Sequence, residues 1–292
     1  YKMSLVTLKE ILTGTRENQY AVGAFNFSCP EDAEGIIMAG VEKNAPVILM
    51  VSMNALKYNG LKATVGMIKG MAEAVDIPVC LHLDHATDYD LIKECIREGF
   101  TSVMIDASKK PYEENIADTR MIVEYAKEYG CSVEAELGML GGREENVVVE
   151  EASAAMTNPE DVPRFVEETG IDALAVAIGT AHGFYKAEPK LDFERLEQIV
   201  KLTDCPLVLH GGTGVPEADF RKCVRMGMSK INYGTAIKSV FVGAVAAVAA
   251  EEAAKEPGKQ DPRNLLRPAK KAVAEHVGEK IDIYGSTGKA KK

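Results

Sequence analysis

The chain has 292 residues, 46% hydrophobic and 27% charged, with a formal net charge of −10. That composition is globular, with ample length for a large core, and its acidic balance argues against a nucleic-acid partner, which needs a basic field. The six cysteines form no C-x-x-C pair, so neither a zinc knuckle nor a thioredoxin-like site is suggested.

In chain order, short apolar runs alternate with longer segments of helical character. The runs are "AVGAFNF" from Ala21, "PVILMVS" from Pro46, "IPVCLHLDH" from Ile77 and "TSVMIDAS" from Thr101. They continue with "CSVEAELG" from Cys131, "IDALAVAIGTAHG" from Ile171, "CPLVLHGGTG" from Cys205 and "SKINYGT" from Ser229. Between them, "TDYDLIKECIREG" offers Thr87 as an N-cap, an apolar face of Leu91, Ile92, Cys95 and Ile96, and a terminal Gly99. "PYEENIADTRMIVEYAKEYG" starts at Pro111 and stops at Gly130. Continuous apolar strands indicate a parallel sheet covered by helices. Eight strand–helix units predict a (β/α)8 TIM barrel over residues 3–288, one domain with a C-terminal helical extension. A doubly wound open sheet is the competing architecture, but no G-x-G-x-x-G follows the first strand.

Two further segments carry expectations. "GGREENVVVEEASAAMTNPED", from Gly141 to Asp161, reads as a mobile loop over the active face. The run from Val240 to Ala250 is too short to span a bilayer and, being alanine-rich, reads as a buried helix. No signal peptide and no membrane association are expected, which places the chain in a reducing, cytoplasmic compartment.

In a barrel, the C-terminal strand ends converge on one mouth. Those ends read Asn26, Ser52, Asp84 with His85, Asp106, Glu136, His182, His210, and Asn232 to Thr235. Three of the chain's five histidines stand there, and three imidazoles with an open position make a catalytic zinc arrangement. Strict alternation would aim Asp84 and His85 to opposite faces, so both serve one site only if the strand ends or bulges between them. His82 reads as a core or supporting residue and His276 as a surface residue on a C-terminal helix. A second cluster is glycine-rich. "HGGTG", His210 to Gly214, and "NYGT", Asn232 to Thr235, each lead into a helix, and such turns expose N–H groups to anions.

"LHLDH", "SVEAELGMLGG", "AVAIGTAHGFY", "LVLHGGTGVP", "KINYGT" and "DPR" together resemble the class II, zinc-dependent ketose-bisphosphate aldolases, from about Leu5 to Gly288. That family comprises TIM barrels, usually dimers or tetramers, that cleave fructose or tagatose 1,6-bisphosphate to dihydroxyacetone phosphate and glyceraldehyde 3-phosphate through a zinc-stabilised enediolate. The resemblance implies His85, His182 and His210 as zinc ligands and Asp84 as the catalytic acid/base. It implies that Gly183, Gly211, Gly212, Thr213, Asn232, Tyr233, Gly234 and Thr235 bind dihydroxyacetone phosphate, with Asn26 and Ser52 as polar contacts on the substrate side. Asp106 and Glu136 match acidic residues near the metal, as supports or an auxiliary metal site. Arg263, in "DPR", matches an arginine that meets the second phosphate, in some members from a neighbouring subunit. A monovalent cation, Na+ or K+, near the phosphate loops is also implied.

The chain departs from the family where fructose-specific branches carry Asp or Asn at the position of Gly234. The tagatose branch has a small residue there but often lacks the second glycine and threonine of "HGGTG", so both substrates stay open. Glu144 is aligned near a proton-abstracting glutamate of one branch. Two other readings compete. A metal-dependent TIM-barrel hydrolase would show an H-x-H pair on the first strand, and "AFNFS" has none. A non-catalytic sugar-phosphate-binding protein would have lost a zinc ligand or the acid, and this chain retains all four residues.

Overall fold

The computed structural model describes residues 5–144, 147–149, 155–185 and 187–290. In chain order the elements begin α1 (Leu8–Leu12), β1 (Val22–Asn26), α2 (Pro30–Lys43), β2 (Val47–Ser52), α3 (Met53–Asn59), α4 (Leu61–Glu73) and β3 (Val79–Ala86). Next come α5 (Tyr89–Glu98), β4 (Ser102–Ile105), α6 (Tyr112–Lys127), β5 (Ser132–Leu137), β6 (Gly141–Glu144), β7 (Val147–Val149) and α7 (Val162–Thr169). The chain finishes with β8 (Ala173–Val176), β9 (Ala181–His182), α8 (Phe193–Leu202), β10 (Leu207–Leu209), α9 (Glu217–Met226), β11 (Met228–Tyr233), α10 (Thr235–Ala253) and α11 (Arg263–Ile283).

Eight of these strands close into a parallel barrel in the order β1-β11-β10-β8-β5-β4-β3-β2. Each matches one of the eight apolar runs, β3 and β11 extending one residue beyond theirs, so the TIM barrel read from the sequence is the fold and the open sheet is excluded. The strands are buried on both faces, which is why their sequences are continuously apolar instead of alternating. Outward residues such as Leu49, Leu81, Val103, Val133, Leu174 and Ile231 pack under the helices. Inward residues Val22, Ala24, Ile48, Met50, Cys80, Met104, Ala175 and Val208 fill the barrel, and Leu8, Ile11 and Leu12 of α1 close its lower end.

Helix ends follow local chemistry. Asp88, not Thr87, caps α5: its Oδ1 accepts from the N–H groups of Asp90 and Leu91, both at 3.1 Å. A carboxylate also complements the helix dipole, which Thr87 cannot do. Gly99 stops the helix at φ +110°.

Three expectations are corrected. The segment after β5 is not a plain loop. β6 pairs antiparallel with β7 and parallel with β9, with Gly142 opposite both Val149 and His182. Three consecutive valines favour a strand, and Gly142, at φ +100°, permits the approach, since a Cβ there would lie 2.4 Å from the His182 carbonyl oxygen. Residues 145–146 and 150–154 of that segment, and the Glu144 side chain, lie outside the described residues. The run Val240–Ala250 is not buried: in α10 only Ile237 and Glu252 are buried and Val242 is 64% exposed. The helix packs along α11 outside the barrel, which covers one side only. His276 is half-buried, its Nε2 3.1 Å from the Tyr233 hydroxyl. Among the described residues no helix is long and apolar enough to cross a membrane, and all six cysteines are free.

Charge also lies inside the barrel. Lys230 and Glu134, both fully buried, pair at 2.7 Å in the layer beneath the mouth. Breaking such a pair by removing one partner costs about 3–5 kcal/mol, because the remaining charge is stranded. Lys230→Met should lower unfolding free energy by that amount in denaturant titrations, and Lys230→Met combined with Glu134→Gln should recover most of it.

Candidate active site and metal centre

The local backbone of β3 makes the site. Its register with β4 runs Leu83↔Val103 and then Ala86↔Ile105, one residue more on β3 than on β4, and His85 sits at φ +45°. This is a bulge with a left-handed residue, a conformation that histidine adopts more readily than most. It satisfies the condition read from the sequence: Asp84 and His85 reach the same group of residues although they are adjacent.

His85, His182 and His210 are buried, and their ring nitrogens lie within 4.8 Å of one another. His85 Nε2 faces His210 Nδ1 at 2.7 Å. In these two rings the remote nitrogen is held by a carboxylate. His85 Nδ1 is 3.1 Å from Asp106 Oδ2, and His210 Nε2 is 2.8 Å from Glu134 Oε1. Imidazoles anchored in this way present their other nitrogens as lone pairs to a shared cation. The His182 ring meets the His85 ring edge-on at 4.7 Å. The donor set therefore fits a zinc-type ion.

A second cluster, His85, Asp106 and Glu136, shares the same 4.8 Å limit. Burial opposes the charge of His85, yet Asp84, Asp106 and Glu136 hold its pKa well above the ordinary value. Burial likewise opposes the charge of Asp106, and hydrogen bonds with His85 and Ser108 outweigh it, keeping that carboxyl well below the usual range. Burial, reinforced by Asp106, pushes Glu136 up to about 7. Glu136 Oε2 is buried without a hydrogen-bond partner among the described residues.

Asp84 is 3% exposed. Its Oδ2 accepts from Asn26 Nδ2 at 2.9 Å and its Oδ1 from Asn232 Nδ2 at 3.4 Å. Beside it lies a cleft lined by Asn26, His182, Gly183, Gly211, Gly212, Thr213, Asn232, Gly234 and Thr235. Nearly all the glycine-loop residues singled out in the sequence meet there. Thr213 Oγ1 accepts from the N–H of Ala236, tying the first loop to the start of α10. The Tyr185 hydroxyl accepts from the Ala181 N–H and donates to the Gly211 carbonyl, both at 2.8 Å, joining the segments that carry His182 and His210.

Three candidates are placed otherwise. Tyr233 points outward, because Lys230 and Asn232 take the inward positions of β11; its ring packs on His276. Only its backbone can serve the loop. Ser52 stands opposite Asp84 in the β2–β3 register, and its hydroxyl caps α3. Arg263 is exposed at the start of α11, with its guanidinium on Asp261, and does not line the cleft.

Sequence reading missed Glu134 and Lys230. The available signal was a charged residue within each of two apolar strands, two positions before an identified site residue (Glu136 and Asn232). Lys230, sealed and paired, is not available as an amine nucleophile. A larger cavity, about 540 Å³, opens at the opposite barrel end between Lys9, Arg16, Asp172 and Asp204, with no metal-ligating cluster among the described residues there.

A family model for fructose-bisphosphate aldolase class-II matches residues 6–289. The chain belongs to the class II fructose-bisphosphate aldolase family. It is 47% identical over 292 residues to the fructose-bisphosphate aldolase of Staphylococcus aureus strain Mu50, covering 99% of this chain and 100% of the relative. It is 46% identical to the fructose-bisphosphate aldolase of Geobacillus stearothermophilus, over 99% of each chain. The crystal structure of the YdjI aldolase from Escherichia coli K12 superposes with a TM-score of 0.86 at 33% identity, covering 98% of this chain and 100% of that one.

The carboxylate on His210 yields a measurable expectation. Supports of this kind contribute about 10–100-fold to metal affinity. In a Lys230→Met background, where no cation is stranded, Glu134→Gln should weaken zinc binding by that factor in chelator competition. An unchanged affinity would reduce Glu134 to a packing role.

Proposed function

We propose that the chain is an aldehyde-lyase that reversibly cleaves fructose 1,6-bisphosphate to dihydroxyacetone phosphate and glyceraldehyde 3-phosphate. The observation that carries this reading is one buried carboxylate, Asp84, held by two amides between three clustered imidazoles and a glycine-lined anion cleft. The relatives named fructose-bisphosphate aldolase support fructose as the sugar.

His85, His182 and His210 would hold one divalent ion, zinc by preference, which when bound supplies Lewis acidity at the ketose carbonyl. The remaining work belongs to the chain's own side chains. The N–H groups of Gly211 and Thr213 and of the turn before α10 receive the C1 phosphate, where a helix N-terminus favours an anion, while the Gly212 N–H donates to the Asn232 carbonyl at 3.2 Å and ties the two loops together. Asp84 takes the C4 hydroxyl proton as the C3–C4 bond breaks; the C4 oxygen becomes the aldehyde oxygen of glyceraldehyde 3-phosphate, and the bonding pair passes to C3, which then takes up a proton to give dihydroxyacetone phosphate. Asn26 and Asn232 keep its lone pairs aimed at that hydroxyl. Asn232 Oδ1, buried without a partner among the described residues, is an acceptor for a substrate hydroxyl. Asp106 and Glu134 hold imidazoles by hydrogen bonds, Glu136 adds a buried carboxyl 3.9 Å from His85, and Ser52 supports the Asp84 strand end. A Na+ or K+ ion beside the glycine loops would balance phosphate charge.

Arg263 serves the far phosphate from a second copy of the chain, in a homodimer or homotetramer. Its exposure and distance from the cleft lining support a role in trans, as does the uncovered apolar side of the neighbouring α10.

The deciding experiment is a coupled assay for triose phosphate release, with fructose and tagatose bisphosphates, on metal-stripped and zinc-reloaded protein. Activity should vanish on stripping and return with zinc; full activity of the stripped protein would refute the reading. General acid–base help is worth about 10²–10⁴-fold, so Asp84→Asn should lower kcat on that scale with zinc content unchanged. Loss of zinc instead would make Asp84 a support of the metal.

A charge-assisted hydrogen bond contributes about 1.5–3 kcal/mol. Arg263→Ala should accordingly reduce kcat/KM for the bisphosphate roughly 10–150-fold. Cleavage of a ketose 1-phosphate, which lacks the second anion, should hardly change. Equal losses on both substrates would assign Arg263 to assembly.

A further inference from the structure

Tyr185 closes the joint between the segments that carry two of the three clustered imidazoles. Ala181 precedes His182, and Gly211 follows His210. Their peptides are packed against each other: a Cβ at Gly211, which stands at φ +67°, would lie 2.4 Å from the Ala181 carbonyl oxygen and 2.7 Å from its carbonyl carbon. Across this contact the Tyr185 hydroxyl accepts from the Ala181 N–H and donates to the Gly211 carbonyl, both at 2.8 Å. A phenol at neutral pH keeps its proton and can do both at once. The ring rests against Gly214, where a Cβ would lie 2.9 Å from Tyr185 Cδ2, so one glycine-rich turn seats the ring and takes its hydrogen bond.

The proposed substrate sets a distance. A single carbon separates the phosphate ester oxygen of a ketose 1-phosphate from its carbonyl carbon, so the imidazole cluster and the anion cleft must stand at one spacing. On the His210 side the chain itself fixes that spacing, because His210 runs directly into Gly211, Gly212 and Thr213, which line the cleft. On the His182 side it is fixed by contact between separate segments. β9 lies outside the barrel and pairs with β6, which braces it toward the hairpin and not toward the glycine loop. Packing of Gly211 on Ala181 limits how near the two segments come. The Tyr185 hydroxyl limits how far apart they move.

We propose that Tyr185 is a positioning residue that fixes the spacing between His182 and the C1-phosphate loop, so that the carbonyl and the phosphate of one substrate meet a single rigid frame. This inference rests on the function proposed above and deepens it, since it assigns the hydroxyl to neither subsite alone. A ligand that fills one subsite should be indifferent to the hydroxyl. A molecule that fills both gains from a frame ordered before it arrives.

Calorimetric titration of zinc-loaded wild type and Tyr185→Phe tests it. The linked probe is the hydroxamate of phosphoglycolate, whose chelating carbonyl stands one carbon from its phosphate ester, as in the ketose. The fragments are acetohydroxamate and inorganic phosphate. Tyr185→Phe should bind the linked probe roughly 5–15-fold more weakly, the upper scale of one neutral hydrogen bond. It should bind each fragment within about twofold of wild type, because only the linked molecule reads the spacing. Zinc content and melting temperature should stay near wild type, and kcat/KM for the bisphosphate should fall by the factor seen with the linked probe. Weaker binding of inorganic phosphate alone would assign the hydroxyl to the anion. Loss of zinc, weaker acetohydroxamate or a variant that does not fold would make it a support of His182 or of the fold. Either result overturns the proposal, and so does a linked-probe affinity equal to wild type. If wild-type protein binds the linked probe no more tightly than the better fragment, the two subsites do not serve one molecule, and the functional reading falls together with this inference.

Discussion

Between Leu83 and Ala86, β3 carries one residue more than the strand beside it, and His85 stands at φ +45° to absorb the difference. Left-handed backbone at a non-glycine residue costs about 1–3 kcal/mol. The hydrogen bond from His85 to Asp106 and the packing of three imidazole rings hold it in place. Without the bulge, adjacent side chains on a strand point to opposite faces, and one of Asp84 and His85 would lie under the helices. The remaining components are arranged around that pair: two asparagine amides on Asp84, and two further imidazoles and two carboxylates around His85.

Below this layer the barrel interior is polar where it is usually apolar. Lys230, Glu134 and His82 occupy one level, with His82 Nδ1 on Ser102 Oγ at 2.7 Å. Burial and the Lys230 charge hold the His82 pKa well below its ordinary value, so that ring stays neutral. Glu134 touches both Lys230 and His210, which makes it the junction between barrel packing and the imidazole cluster. A net charge of −10 does not exclude an anionic sugar phosphate, because the local field at the mouth is set by backbone N–H groups and by the start of α10.

The segment after β5 illustrates how loops are tied to the chemistry. β6 and β7 form a hairpin that hydrogen-bonds onto β9, the strand carrying His182, and Tyr185 bridges β9 to Gly211. His182 is therefore braced from two sides although it stands outside the barrel strands. Gly142 is what lets the hairpin come close enough. At the far end of the chain, Glu252 accepts from the Asp261 N–H at 2.7 Å and from Asn264 Nδ2 at 3.2 Å, which fixes the turn that displays Arg263.

The sequence by itself determined the barrel, because strands covered on both faces must be apolar throughout and helices between them must start and stop on capping residues and glycines. It also determined the composition of the mouth, since period-two alternation assigns Asn26, Asp84, Glu136 and Asn232 to the inside once the strands are located. The three histidines were legible because they ended apolar runs. Tertiary structure alone decided which inward residues meet across the barrel. Glu134 and Lys230 come from two different strands and His210 follows the end of a third, and their contact depends on closure and stagger, which no local pattern encodes. The same holds for Gly234 and Asn26, 208 positions apart yet in contact. The outward turn of the Tyr233 side chain was not legible, because a motif does not say which of its side chains the strand turns outward. The exposure of α10 was misread because composition reports what a helix can bury, whereas the packing of α11 decides what is buried within one chain.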